Sequence, residues 1–322
     1  MVVGSLHAQA PEPHFITPEE FPFRLRAVRW LGHQGWMRSW IRRGRDHLLE
    51  KLFEPFANRS YPFEIDYFGQ CYRGDLARAV DWAAFCYGSS AHTELALLSA
   101  ASKYLHARRP GPVNFFDVGA NVGHHSLFMT KLADRVVAFE PFPEILRLLR
   151  DHVSLNRLTN VEIVPVALGE KDDVLPFYPG PSHENTLGTF LESNAPQPGI
   201  SSHLPVRNGD ALFDNKQYPE IHILKVDVEG FEPYVFRGLK KHIHRDRPII
   251  LSELLDFTRS SYGSEAGFRE CFYENAVFAN VPCRNGSLAF TLRPFDFNRN
   301  GEVLAVPSEM ADFVNSRMAH GI

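Results

Sequence analysis

NFFDVGANVGHHS, residues 114–126, decides how this chain is read. A short apolar run, NFFD at 114–117, ends on a carboxylate, and a loop with Gly119 and Gly123 follows. The spacing predicts a helix next, over His125 to Ala133. The same alternation continues outward. Apolar runs recur at RVVAFE (135–140), VEIVPVAL (161–168), IHILKVD (221–227) and RPIILSE (247–253). Between two of them Pro143 to Leu155 places Ile145, Leu148, Leu149 and Val153 on one helical face. Strands alternating with helices predict a parallel sheet covered on both faces. NAVFANV, GSLAFTL and EVLAVP, near the end, read as further strands, two of them an antiparallel pair. The expected fold is α/β: a mostly parallel, doubly wound sheet with an antiparallel edge and an N-terminal extension of helices and short strands.

Composition sets the outer bounds. The chain has 322 residues, 44% of them hydrophobic, so it can bury a large core. A net charge of −4 with 22% charged residues excludes a nucleic-acid binder by bulk charge. Cys71, Cys86, Cys271 and Cys283 form no CxxC pair, which argues against a disulfide scaffold or a cysteine zinc site and for a reducing, cytoplasmic setting. The start, MVVGSLHAQAPEPHF, lacks the basic and sustained apolar regions of a signal peptide. No run reaches the length of a membrane span.

Residues 1–20, with Pro11, Pro13 and Pro18, read as a flexible tail. A helical cap with short strands is expected over 21–110. Its opening, 21–56, holds three of the four tryptophans and many arginines at roughly helical spacing. A basic face for an anionic membrane surface is one reading of it, and a solvated helix face is the other. Tyr61 to Tyr87, including AVDWAAFCYG, reads as short strands, and Thr93 to Arg108 as a helix closed by Pro110 and Gly111. The main domain is expected over 111–322. Within it, 178–205 is rich in Pro, Gly, Ser and Asn and too long for a plain connection, so a lid over the site is expected there.

An open parallel sheet binds its ligand at the carboxyl ends of its strands. The loop there is D-x-G-x-N-x-G, with Asn121 where a third glycine would be expected; Asn tolerates the left-handed region. Glu140 closes the second strand, 23 positions past Asp117, where a carboxylate accepts hydrogen bonds from both ribose hydroxyls. Dinucleotide sites prefer G-x-G-x-x-G around a pyrophosphate. Here that spacing is missing, and an acidic loop suits a cation such as the sulfonium of S-adenosylmethionine. Gly119 is expected to matter for ligand approach and not for the sheet.

The fourth strand delivers a second group, Lys225-Val-Asp227-Val-Glu229-Gly230-Phe231-Glu232-Pro233. Glu232 and Pro233 suit the first turn of a helix. Asp227 sits at the strand end, Glu229 follows in the loop, and Glu253 ends the neighbouring strand. Moving a methyl group to a hydroxyl needs positioning and a route for the hydroxyl proton. Asp227 or Glu229 could be the base. Asp227 and Glu253 are alternatively a candidate pair of Mg²⁺ ligands. His124, His125 and His183 are competing bases, and Lys225 a partner for a carboxylate.

DVGANVGHHS, VVAFEP, VEIVPVALGE, ILKVDVEGFE and PIILSEL together resemble the FkbM family of S-adenosylmethionine-dependent methyltransferases. The resemblance spans roughly Tyr61 to Pro307 and implies a class I, Rossmann-like methyltransferase fold. It implies O-methylation of sugars, polysaccharides or polyketide-type products. Carried over, Asp117, Gly119, Asn121, Gly123 and Ser126 belong to the cofactor loop, Glu140 to the ribose, and Pro141, Phe142 and Ala167 to the adenine. Asp227 and Glu229 match the family's D-x-E-G pattern and are the expected catalytic centre. NTLGTF (185–190) falls where relatives carry a loop near the site.

The leading expectation is a cytoplasmic O-methyltransferase acting on a small-molecule or glycan hydroxyl, without nucleic acid, with Mg²⁺ as a candidate second cofactor. A homo-oligomer is compatible with this sequence. Two other classes remain open: an NAD-dependent oxidoreductase or epimerase, which a cofactor competition would separate, and a catalytically silent ligand-binding module.

Overall fold

A computed structural model describes residues 13–33, 49, 51–53, 56, 59–180, 188–195, 199, 201–282 and 291–318. Among these, eight strands form the central sheet. Its parallel part is β3 (Asn114–Val118), β4 (Arg135–Phe139), β5 (Val161–Val164), β9 (Ile223–Val226) and β10 (Ile249–Leu254). The antiparallel part is β11 (Val277–Val281), β12 (Arg293–Pro294) and β13 (Gly301–Val306). The order is β12-β11-β13-β10-β9-β3-β4-β5. The order reverses at β3, which lies between β9 and β4, and this is where an open sheet leaves a crevice. The sequence of runs therefore folds as the expected class I, Rossmann-like α/β sheet with an antiparallel edge. Most of GSLAFTL lies outside the described residues.

Strand periodicity builds the two covers. Side chains alternate across a pleated strand, so the neighbours Phe115 and Phe116 face opposite sides. Phe115 packs with Val136, Ile223 and Leu304 under Leu97, Leu98, Ala101 and Leu105 of the long helix His92–Arg108. Phe116 packs with Val137, Leu224 and Ile250 under Val235, Phe236, Leu239 and Ile243 on the other face. At roughly 1.5–3 kcal/mol per fully buried large side chain, these two covers dominate the favourable side of folding.

A third core ties the N-terminal residues to the loops above the sheet. Helix α1 (Phe23–His33) buries Leu25, Val28 and Gly32, spaced by three and four positions. It docks against the antiparallel hairpin β1 (Pro62–Tyr67) and β2 (Gln70–Asp75) and against Phe85. Val122, Phe142, Ile145 and Phe177 join the same cluster. Ile16, within the stretch read as a tail, bridges to Phe63 in the hairpin. Most of the Trp- and Arg-rich segment beyond His33 lies outside the described residues. No helix among the described residues is long and apolar enough to cross a membrane.

Three local expectations are corrected. AVDWAAFCYG is not a strand: Ala79–Tyr87 is a helix, closed by Gly88 at φ 81°. Alanine favours helix, and a left-handed glycine is its usual stop. Asp81 in its first turn accepts from the Tyr72 hydroxyl, the Asp75 N–H at 2.7 Å and Arg78 at 2.6 Å. VEIVPVAL is not one strand either. Pro165 has no N–H to donate, and the chain leaves β5 to form β6 (Ala167–Gly169). There it joins β7 (Asp173–Phe177) and β8 (Ser202–Asn208) in a separate sheet ordered β6-β8-β7. That second sheet also shortens the expected lid, because β8 takes residues 202–205.

The third correction concerns Gly119, at φ 83°. A β-carbon there would sit on the carbonyl oxygen of Asp227, at the end of the adjacent strand. The glycine is needed first for packing β3 beside β9. Gly119→Ala is therefore expected to destabilise the whole domain by about 3 kcal/mol or more, combining a forced left-handed residue with a backbone clash. Urea denaturation checks this; a loss below about 1 kcal/mol would return the glycine to a role in ligand approach alone.

Candidate active site

The strand ends of β3, β4 and β9 open into one cavity. Gly119, Asn121, Glu140, Pro141, Phe142 and Ala167 line it from the loops expected to hold the cofactor, and Asp227 and Glu229 from the expected catalytic loop. Asp117, Gly123 and Ser126 do not line it. Asp117 is fully buried behind the loop, where one carboxylate oxygen accepts from the Ser126 hydroxyl at 2.6 Å and the other is unpartnered. Gly123, at φ 97°, starts the helix His124–Met129, and a β-carbon there would press on Leu149. These three shape the loop from beneath.

Glu140 is held from both sides. Asn121 takes the left-handed conformation, φ 54°, which Asn tolerates. Its N–H donates to one Glu140 oxygen at 3.0 Å, and the Phe142 N–H donates to the other at 2.9 Å. Each oxygen keeps a further acceptor site, so two ribose hydroxyls can still be received. Burial raises this carboxyl to about 7, against the lowering effect of its two N–H donors.

The catalytic loop is a crowd of carboxyls around one ammonium. Lys225 is 1% exposed and donates to Asp227 at 2.8 Å. Burial alone would lower the lysine, but Asp227, Asp117 and other carboxylates hold it above its ordinary value. Burial alone would raise Asp227, but Lys225 prevails and lowers it. Glu229 has no such partner: burial, then the charges of Asp227 and Glu232, push it to about 8. Glu253 reaches about 9 for the same kinds of reason. Glu229 also sits at φ 53°, a strained position for a non-glycine residue, with its carbonyl held by the Thr189 hydroxyl at 2.8 Å.

Glu232 behaves as its place at a helix start predicts. It is fully buried and accepts from the Val228 and Gly230 N–H groups at 2.8 and 3.3 Å, closing the loop that carries Glu229. Glu253 does not line the cavity, and Asp227 already has a cation against it in Lys225. Among the described residues no group of three or more His, Cys, Asp or Glu could hold a metal.

His124 and His125 separate. His124 is buried against Tyr67 and Tyr72, ring centroids 5.0 and 4.9 Å away, and burial lowers it to about 3, so it is a neutral core residue. His125 lines the cavity. His183 lies outside the described residues. Sequence reading placed Phe142 at the site but missed Phe177, Phe190 and Phe231, which continue from it as an aromatic wall linked by centroid distances of 5.1–5.2 Å. It also missed Val80 and Ser90, which reach the cavity from the N-terminal residues. No motif marks these positions; only the tertiary fold does. Of the expected lid, Tyr178 and Thr189 pair as a bridge, and Gly188 and Phe190 line the cavity.

Comparison with known proteins bears on this site. Residues 117–274 match the family model described as Methyltransferase FkbM domain. The chain is 28% identical over 142 residues to Methyltransferase 1 of Beauveria bassiana, covering 38% of this chain and 57% of that protein. It is 30% identical over 126 residues to Hexuronic acid methyltransferase AglP of Haloferax volcanii, covering 38% and 48%. It thus spans about half the length of these relatives. A solved FkbM methyltransferase from Methylobacillus flagellatus KT aligns over 70% of this chain and 60% of that one, at 15% identity and a TM-score of 0.38. The matched residues run from Asp117 at the end of β3 past Glu253 at the end of β10, so the strand ends that open into the cavity lie inside the stretch that is similar to the FkbM methyltransferase domain.

Proposed function

We propose that this protein transfers the methyl group of S-adenosylmethionine to a hydroxyl of a sugar, a polysaccharide or a polyketide-type product. One observation carries the reading: Glu140 and the Lys225–Asp227–Glu229 group face one cavity from opposite sides of the β3 loop. A relative named for hexuronic acid supports a sugar acceptor. The free thiols of Cys71, Cys86 and Cys271 support a cytoplasmic location.

The residues fit the cofactor. Glu140 retains acceptor capacity for a ribose, and Phe142 and Ala167 offer apolar walls for a base. The ionised Asp227 has one oxygen on Lys225 and keeps the other for a positive charge. When bound, the cofactor supplies an electrophilic methyl on a sulfonium. The protein's part is positioning and proton handling. Asp227, ionised and fixed by Lys225, is a strong acceptor that orients the incoming hydroxyl. Glu229, protonated at neutral pH, can donate a hydrogen bond to a second polar group of the acceptor. The phenylalanine wall gives the cavity an apolar side.

The test is transfer of labelled methyl from S-adenosylmethionine to a panel of hexuronic acid glycosides, neutral glycosides and hydroxylated macrolides, read by mass spectrometry. Labelled product supports the reading. Binding of NAD in preference to S-adenosylmethionine would replace it with an oxidoreductase, and cofactor binding with no product from any acceptor would favour a silent module.

Two predictions follow from the charges. Sinefungin affinity, measured by calorimetry, should be full above about pH 8 and fall by up to about tenfold per unit as Glu140 takes up a proton through about 7. The sign follows from the ionised carboxylate being the form that accepts from a ribose. Glu140→Gln should flatten this dependence and weaken binding about 10- to 100-fold; an unchanged dependence would place it on Glu229 or Glu232. Asp227→Asn should lower turnover at least about 100-fold and weaken sinefungin binding about tenfold, through the lost charge partner of its amine. Near-normal turnover would remove Asp227 from the chemistry.

A further inference from the structure

The reaction needs a destination for the hydroxyl proton, and Asp227 is poorly suited to receive it. One of its oxygens is taken by the Lys225 ammonium at 2.8 Å. A second candidate stands in the same wall. His125 opens the helix that follows the glycine loop, and Glu94 lies in the first turn of the helix His92–Arg108 packed beside it. The Nε2 of His125 lies 2.9 Å from a Glu94 carboxylate oxygen, and both side chains are largely enclosed, 14% and 20% exposed. A carboxylate can only accept, so Nε2 carries the hydrogen, and in the neutral imidazole Nδ1 then keeps its lone pair. Among the described residues Nδ1 has no protein partner, although His125 lines the cavity. A carboxylate behind one imidazole nitrogen, with the other nitrogen unpartnered in a residue that lines the site, is the arrangement of an oriented general base.

The geometry points to His125 as the general base for the acceptor hydroxyl, with Glu94 as its positioning residue. This rests on the methyltransferase reading above. The acceptor oxygen forms its bond to the methyl carbon as the carbon–sulfur bond breaks, the sulfur keeping that electron pair. The hydroxyl proton passes to Nδ1, and the imidazolium so formed is paired with Glu94 until the proton leaves to water. Asp227, one residue past β9, and His124 from its own helix are ionisable groups near the imidazole. With Asp227 already ion-paired and His124 sunk in the N-terminal core, His125 is the described cavity residue that combines an unpartnered nitrogen with an orienting carboxylate.

The first arm of the test needs no cofactor. Nitrogen-15 histidine NMR of the full chain should show His125 with Nε2 protonated and Nδ1 bare, and Glu94→Gln should convert it to a mixture of tautomers. A proton on Nδ1 in the native protein would overturn the assignment. The second arm uses labelled methyl transfer to the methyl glycoside of glucuronic acid. His125→Gln should lower kcat about 10²- to 10⁴-fold with KM and sinefungin affinity within about threefold. Glu94→Gln should lower kcat about tenfold or more, and Glu94→Asp should restore part of it. Equal losses in KM and sinefungin affinity, or turnover near normal in His125→Gln, would contradict the base assignment. Should the native protein methylate no acceptor, the methyltransferase reading fails in the second arm, and the tautomer alone decides whether Glu94 orients His125.

Discussion

Everything at this site depends on one ion pair, the buried Lys225 with the partly exposed Asp227. Placing a lysine ammonium out of water is costly unless charged partners surround it, and breaking such a pair by removing one member leaves an uncompensated buried charge. Lys225 has Asp227 in contact and Asp117, Glu94 and Glu302 nearby. The remaining carboxyls cannot all be ionised in so little water, so Glu229 and Glu253 are pushed up while Asp227 is held down. One ammonium thus sorts a cluster of similar groups into an ionised acceptor and protonated neighbours, which is how unlike roles arise from like side chains.

The backbone makes that sorting geometrically possible. Gly119 lets β3 approach the Asp227 carbonyl, Glu232 closes the turn carrying Glu229, and Asn121 turns its N–H onto Glu140. Each contact joins the end of one strand to the loop of another. The N-terminal hairpin and helices then complete the enclosure, with Val80 and Ser90 in the wall and Glu94 behind His125. The elements preceding the sheet therefore belong to the site as well as to the core.

The sheet was legible because its runs are short, apolar and punctuated by glycine and carboxylate at the strand ends, and those end positions are where an open sheet keeps its ligand. Glu140, Asp227 and Glu229 could be named from that position alone. Ala79–Tyr87 was misread because an apolar run buried on several sides has no clear period, so helix and strand look alike. The split of VEIVPVAL turned on a single Pro165. Asp117 and Ser126 carry a recognisable pattern but serve the loop from behind, a distinction only packing reveals. The Phe177–Phe190–Phe231 wall and the Glu94–His125 pair join residues distant in sequence, and no spacing rule connects them.

The central claim is that acidic groups crowd the strand ends to receive a cationic nucleoside. A crystal structure of the full chain with sinefungin tests it most directly. The account predicts both ribose hydroxyls on Glu140, the base between Phe142 and Ala167, and the ligand's amine turned toward Asp227 and Glu229. A cavity left empty at saturating ligand, or a nucleoside seated with its amine away from those carboxyls, would contradict it.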